Sequence, residues 1–238
     1  DYVSALKPLK ALLEINPNLY DVHQNLGIAQ KSLGKFSEAE KSFKEAVRIE
    51  PTDPDSHFNL ASLYGNLSKF IQASQEFDQA EALYKAKRKA PPQQFYSDKA
   101  RAHNQAGIEM IQLNKFEDAL ILLEKSVRQN PRLLSARFNL AKLFLEFKND
   151  PRQANIHLRA GLALNPTANQ VQILRDLLNQ TNIQWRSLYD YRFPLQNSKI
   201  LTPVFYQDTR TFHKCPNCLL IFTNNFPEKT LEENHYKS

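Results

Sequence analysis

The sequence predicts a mainly α protein, a solenoid of helical hairpins followed by a small irregular, β-containing C-terminal extension. Three observations carry this. Small and apolar residues return together every 34 positions through about residue 167. Prolines close all but one of the units. After residue 181 the composition turns aromatic, and short apolar runs replace the helical period.

The markers of the first complete unit are Gly27, Ala39, Phe43, Ala46 and Pro51. One period on stand Ala61, Ala73, Phe77 and Ala80, with Lys85 in place of the proline. Twelve extra residues then intervene, and the set returns as Gly107, Ala119, Leu123, Ser126 and Pro131. Ala141 follows in period, and one inserted residue moves the rest to Ala154, Leu158, Gly161 and Pro166. Backwards, Ala5, Leu9, Leu12 and Pro17 place the start of the chain inside the second helix of an earlier unit. Apolar spacing near 3.6 makes each unit two amphipathic helices. Gly27, Ala61, Gly107 and Ala141 let the paired helices approach, and Ala39, Ala73 and Ala119 do so from the other side. Phe43 and Phe77 fill the space between units. The prolines stop the second helices by removing an N–H donor and clashing with the preceding turn. No unit buries its apolar face alone, so stacked units share one core.

This gives a half repeat over 1–19 and repeats over about 20–53, 54–87, 100–133 and 134–168. The twelve extra residues fall around Arg88 to Lys99. There Pro91 and Pro92 break a lengthened helix, and Ser97 or Asp98 is expected to cap the next. Residues 169–181 read as a capping helix, and 182–238 as the extension, with strands in "KILTPVFYQ" and "CLLIFT" and a helix opened by Pro227.

The marker set resembles the tetratricopeptide repeat (TPR) family over about residues 1–167. The resemblance implies a right-handed solenoid whose first helices line a concave face that binds protein or peptide ligands. Asn25, Asn59 and Asn139 share one slot there, with Gln105 in the remaining unit. Asparagine is a poor helix former, so propensity does not explain its return. A primary amide both donates and accepts, and a row of them can grip the main chain of an extended ligand. This is similar to the asparagine ladder of some family members. The alternative is that the amides bond within the array or to water. Gln24, Phe58, Asn104 and Phe138, and one turn on Ile28, Ser62, Ile108 and Lys142, would shape specificity. Family members that hold a terminal carboxylate use a lysine-and-asparagine clamp. Gln24 and Ile28 stand where its first lysine and asparagine would be, which argues against that mode.

Other chemistry finds little support. The chain has five glycines and neither G-x-G-x-x-G nor G-x-x-x-x-G-K-[ST]. Its net charge of +6 is mildly basic, and the cluster Lys85, Lys87, Arg88 and Lys89 reads as a solvated helix end rather than a phosphate site. Nucleic acid is not an expected partner. No apolar run reaches the roughly 18 residues of a membrane span. His23, His57 and His103 share one slot with Arg137, which favours packing over catalysis, and no G-x-S-x-G or H-E-x-x-H motif occurs. The two cysteines form no disulfide framework, so a reducing cytoplasm is expected. The chain begins at Asp1 without a methionine, as a fragment would.

The pair Cys215 and Cys218 opens a stretch similar to the zinc-ribbon lead-in of class I S-adenosylmethionine-dependent methyltransferases. Phe222, Asn224, Pro227, Leu231 and Tyr236 also fit that pattern, while Leu219 and Asn225 depart from it. The resemblance implies a catalytic domain beyond Ser238 that the array would serve by recruiting substrates or partners. Structural zinc takes four ligands. Cys215, Cys218 and His213 supply at most three, which favours two free thiols over a zinc site and leaves no cofactor expected. The main expectation is a non-enzymatic interaction scaffold that binds extended peptide segments.

Overall fold

The computed structural model describes residues 1–192 and two strands, 212–214 and 221–223, with side chains described through residue 181. The helices run α1 (Tyr2–Ile15), α2 (Tyr20–Ser32), α3 (Phe36–Ile49), α4 (Pro54–Asn66), α5 (Phe70–Ala86), α6 (Phe95–Gln112), α7 (Phe116–Gln129), α8 (Leu134–Glu146), α9 (Pro151–Leu162) and α10 (Ala168–Arg192). Two compact units divide at Tyr189 and Asp190.

The first unit is built of antiparallel hairpins, α2 with α3, α4 with α5, α6 with α7 and α8 with α9. Each buries the periodic residues. Ala39, Ala73, Ala119 and Ala154 are fully inside, beside Phe43, Phe77, Leu123 and Leu158. The small residues of the first helices are needed there: a Cβ on Gly27 would lie 2.6 Å from the Phe43 ring, and one on Gly107 would lie 2.8 Å from Leu123 Cγ. First helices also touch one another, α2 with α4, α4 with α6 and α6 with α8, while among the described residues the second helices have no comparable contact. The inner side of the array is therefore lined by α2, α4, α6 and α8.

The turns inside the hairpins repeat as well. Gly34, Ser68, Asn114 and Asn149 all take positive φ, between 49° and 72°. This is the left-handed position that ends a helix, which glycine and asparagine tolerate best.

The extra residues after α5 are ordered. With no proline at Lys85, α5 runs to Ala86. Helix α6 then begins at Phe95 with Gln94 as its N-cap, so Ser97 and Asp98, expected as caps, lie within its first turn. Phe95 moves the start: it is fully buried, with its ring 5.6 Å from Phe77, 5.7 Å from Phe58 and 5.4 Å from Tyr84. Helix α10 continues past Thr181 to Arg192, through the stretch whose composition suggests the extension. Its Leu174 and Leu178 close the core formed by Ala141, Leu145, Ala154 and Leu158.

In the second unit Phe212–Lys214 (β1) and Ile221–Thr223 (β2) pair antiparallel, His213 opposite Phe222. β2 falls within "CLLIFT", as the sequence suggests. The expected strand in "KILTPVFYQ" and helix at Pro227 lie outside the described residues.

Candidate functional site

The amide slot lies two residues before each small marker, about 200° around the helix, so it faces away from the paired second helix. Asn25 on α2 and Gln105 on α6 are exposed and make no hydrogen bond among the described residues. The other two amides are half-buried and span repeats. Asn59 Nδ2 on α4 donates to Gln24 Oε1 at 3.0 Å, and Asn139 Nδ2 on α8 donates to Asn104 Oδ1 at 2.9 Å. Each joins a first helix to the one before it, leaving one N–H and the carbonyl oxygen of the amide.

Gln24 and Asn104, placed among ligand contacts by the sequence, are buried between helices. Gln24 Nε2 donates to Ser56 Oγ at 2.6 Å and to Tyr20 Oη at 3.0 Å. Tyr20 in turn donates to Asp53 Oδ2, and burial together with that bond pushes its hydroxyl up to about 12. These amides serve cohesion because an unpaired buried amide is costly and the neighbouring helix offers partners. Phe58 is half-buried within the aromatic cluster of Phe77 and Phe95, and Phe138 packs on the core under α8. Ile28 is exposed and Ile108 half-buried. Lys142 reaches toward Glu146, 3.7 Å away along the same helix.

Between α4 and α6 the inner side opens into a cavity of about 280 Å³. Phe70 and Phe77 of α5 form its floor, and Ser62, Arg101 and Gln105 stand on its rim. Sequence reasoning did not anticipate this cavity or Lys31, whose Nζ donates to Ser62 Oγ at 2.6 Å.

The histidine slot has a constant partner. His23 Nε2 lies 2.8 Å from the Pro17 carbonyl oxygen and His57 Nε2 3.0 Å from that of Pro51. Arg137 Nε donates to the Pro131 carbonyl oxygen at 2.6 Å. In three of the four repeats the slot ties the first helix to the proline turn six residues earlier. That fixed spacing was the signal in the sequence. His103 has no such proline behind it and is buried 3.2 Å from Asp78 Oδ1, off the line of a hydrogen bond. Lys99, almost wholly buried, pairs there with Asp78 and Glu81. His157 stacks on Phe144. In the basic cluster, Lys85 pairs with Glu81 and Lys89 with Asp55.

Cys215 and Cys218 lie outside the described residues, as does the side chain of His213. Among the described residues no group of three or more His, Cys, Asp or Glu is placed to hold a metal. Among them, no helix is long and apolar enough to cross a membrane.

Stacked hairpins, small residues at their contacts and apolar clusters that each span neighbouring repeats define a helical repeat array. Family models agree: tetratricopeptide repeat models match residues 20–53, 42–75 and 105–169. The chain belongs to the tetratricopeptide repeat family. The matches stop at residue 169, and nothing in them supports the methyltransferase resemblance of the C-terminal stretch. No curated protein matches the chain. Among solved structures, one of MamA is similar at 19% identity, with a TM-score of 0.50 over 69% of this chain and 89% of that one. A second MamA structure is 20% identical, with a TM-score of 0.50 over 69% of this chain and 82% of that one. At such identities the likeness is one of fold.

Proposed function

We propose that the array is a protein-interaction scaffold whose inner side binds an extended peptide segment through its main chain. The observation that supports this reading is the amide row on α2, α4, α6 and α8. Asn25 and Gln105 offer whole amides, while Asn59 and Asn139 offer what remains after their bonds to the previous repeat. Main-chain gripping is sequence-tolerant, and side-chain preferences come from the pockets beside it.

The test selects binders from a displayed library of random dodecapeptides, then measures their affinity for the parent and for Asn25→Ala with Gln105→Ala. The variant should keep the parent's thermal midpoint, because both amides are exposed. Its binding should weaken by about 0.5–1.5 kcal/mol per lost neutral bond, similarly across peptides of unrelated sequence. Unchanged affinity, or a parent that enriches no peptide, overturns the reading.

A further inference from the structure

The cavity between α4 and α6 is small and two-sided in character. At about 280 Å³ it falls just below the roughly 300–1,000 Å³ typical of small-molecule sites, a size suited to a single side chain. Its apolar lining is Ala61, Phe70, Phe77 and Ala102, of which Ala61, Phe77 and Ala102 are buried. Gly65 forms part of its wall. A Cβ on Gly65 would meet nothing within 4 Å, whereas Gly27 and Gly107 are filled by the helix opposite.

The rim is charged: Asp98 and Arg101 line it, and Lys31, outside the lining, reaches it through Ser62. Lys31 comes from α2, and its ammonium has the Ser62 hydroxyl as its one hydrogen-bond partner among the described residues. Burial draws it below the ordinary lysine range, and only the nearby Asp98 carboxylate opposes this. Arg101 on α6 pairs with that same Asp98. Arg101 thus pairs with the carboxylate at the mouth, while Lys31 bonds only the Ser62 hydroxyl. A half-buried ammonium with unused donors favours an incoming anion.

Resting on the peptide-binding reading above, we infer that this cavity is an anchor pocket for one bulky apolar side chain of the ligand. An aspartate or glutamate of the ligand, within one or two residues of the anchor, sits between Lys31 and Arg101. The acid is internal to the ligand rather than its C-terminus. The pocket lies midway along the row, with Asn25 on α2 to one side and Asn139 on α8 to the other, so a ligand held by the amides continues past it both ways.

The experiment uses the same dodecapeptide library on the whole chain and on two variants, Gly65→Leu and Lys31→Gln with Arg101→Gln. The parent should enrich peptides pairing an apolar residue with a neighbouring acid. Gly65→Leu fills the cavity from the wall and should hold or raise the parent's thermal midpoint while losing at least about tenfold in affinity, the loss of an anchor. The glutamine pair should lose the acidic preference and the salt dependence of binding, yet keep the apolar one. Should Gly65→Leu unfold, the glutamine pair decides alone. Peptides that bind through Asn25 and Gln105 but are indifferent to both variants would leave the groove reading standing and overturn this one. Selection of C-terminal carboxylates in place of internal acids would also overturn it. Failure of the parent to enrich any peptide overturns both readings.

Discussion

Gly27 and Gly65 sit on first helices of adjacent repeats in opposite surroundings. At Gly27 even a methyl group meets the Phe43 ring at 2.6 Å, so Gly27→Ala should cost on the order of 1–3 kcal/mol by overpacking, read from a denaturant midpoint. At Gly65 the space is open, so Gly65→Ala should instead stabilise by about 0.5–1 kcal/mol, the helix preference of alanine over glycine. The left-handed turn slot gives the reverse case. Ser68 holds a φ of 55° where Gly34 holds 72°, and Ser68→Gly should raise stability by about 1 kcal/mol. Two histidines of one slot also have opposite signs toward pH. For His57, burial works against the charged form, but bonds to Glu76 and the Pro51 carbonyl outweigh it and raise its pKa. Its contribution is fully present below about pH 6.5 and is lost as pH rises through the folded value. For His103, burial dominates and Lys99 and Lys125 add to it, so its pKa is lowered despite Asp78. Its contribution is present above about pH 6.5 and is lost as pH falls through the folded value. Urea midpoints across this range should therefore lose part of their acid limb in His103→Gln and part of their alkaline limb in His57→Gln.

Helix α6 shows how an insertion becomes structure. Its added first turn supplies Phe95 to the aromatic core and Lys99 to a buried ionic cluster. Lys99 lies between Asp78 and Glu81 of α5, and Lys125 of α7 completes the cluster at 2.6 Å from Asp78. That environment holds the Asp78 carboxyl far below its usual range: its burial is outweighed by the close approach of His103 and by the ion pairs with Lys125 and Lys99. Removing one partner of a buried cluster strands the others. Lys99→Met should thus cost on the order of 3 kcal/mol, the lower end for breaking a buried pair. The loss should concentrate at the α5–α6–α7 joint, seen as faster amide exchange there than in α2 and α3. Uniform exchange along the array would contradict it.

The whole array behaves as a stack in which each unit is held by its neighbours. Its last apolar edge, around Ala154 and Leu158, is covered by Leu174 and Leu178 of α10. Ending the chain at Thr167 uncovers that edge and removes two buried leucines, each contributing about 1.5–3 kcal/mol. The shortened chain should melt earlier and bind an apolar dye that the longer one does not. An unchanged melting curve would show that α10 covers nothing essential.

The sequence alone determined the hairpins, their number, the small residues at their contacts and the place of the insertion. All of these are periodic: the same packing problem recurs every 34 residues and is solved by the same residue types. It also put Asn25, Asn59, Gln105 and Asn139 on one side, since a fixed offset from a packed residue fixes the direction on a helix. Only the tertiary structure decided what those amides do first. Asn59 meets Gln24 and Asn139 meets Asn104 across 35 residues, and that pairing depends on how closely successive first helices approach. It also decided that Phe58 turns inward, since the partner that draws it in, Phe95, lies in the segment that breaks the period. The cavity over Gly65 follows from the same break, because Asp98 and Arg101 come from the displaced helix while Ser62 and Phe77 keep the period. A period predicts every contact that it repeats, and it is silent where two registers meet.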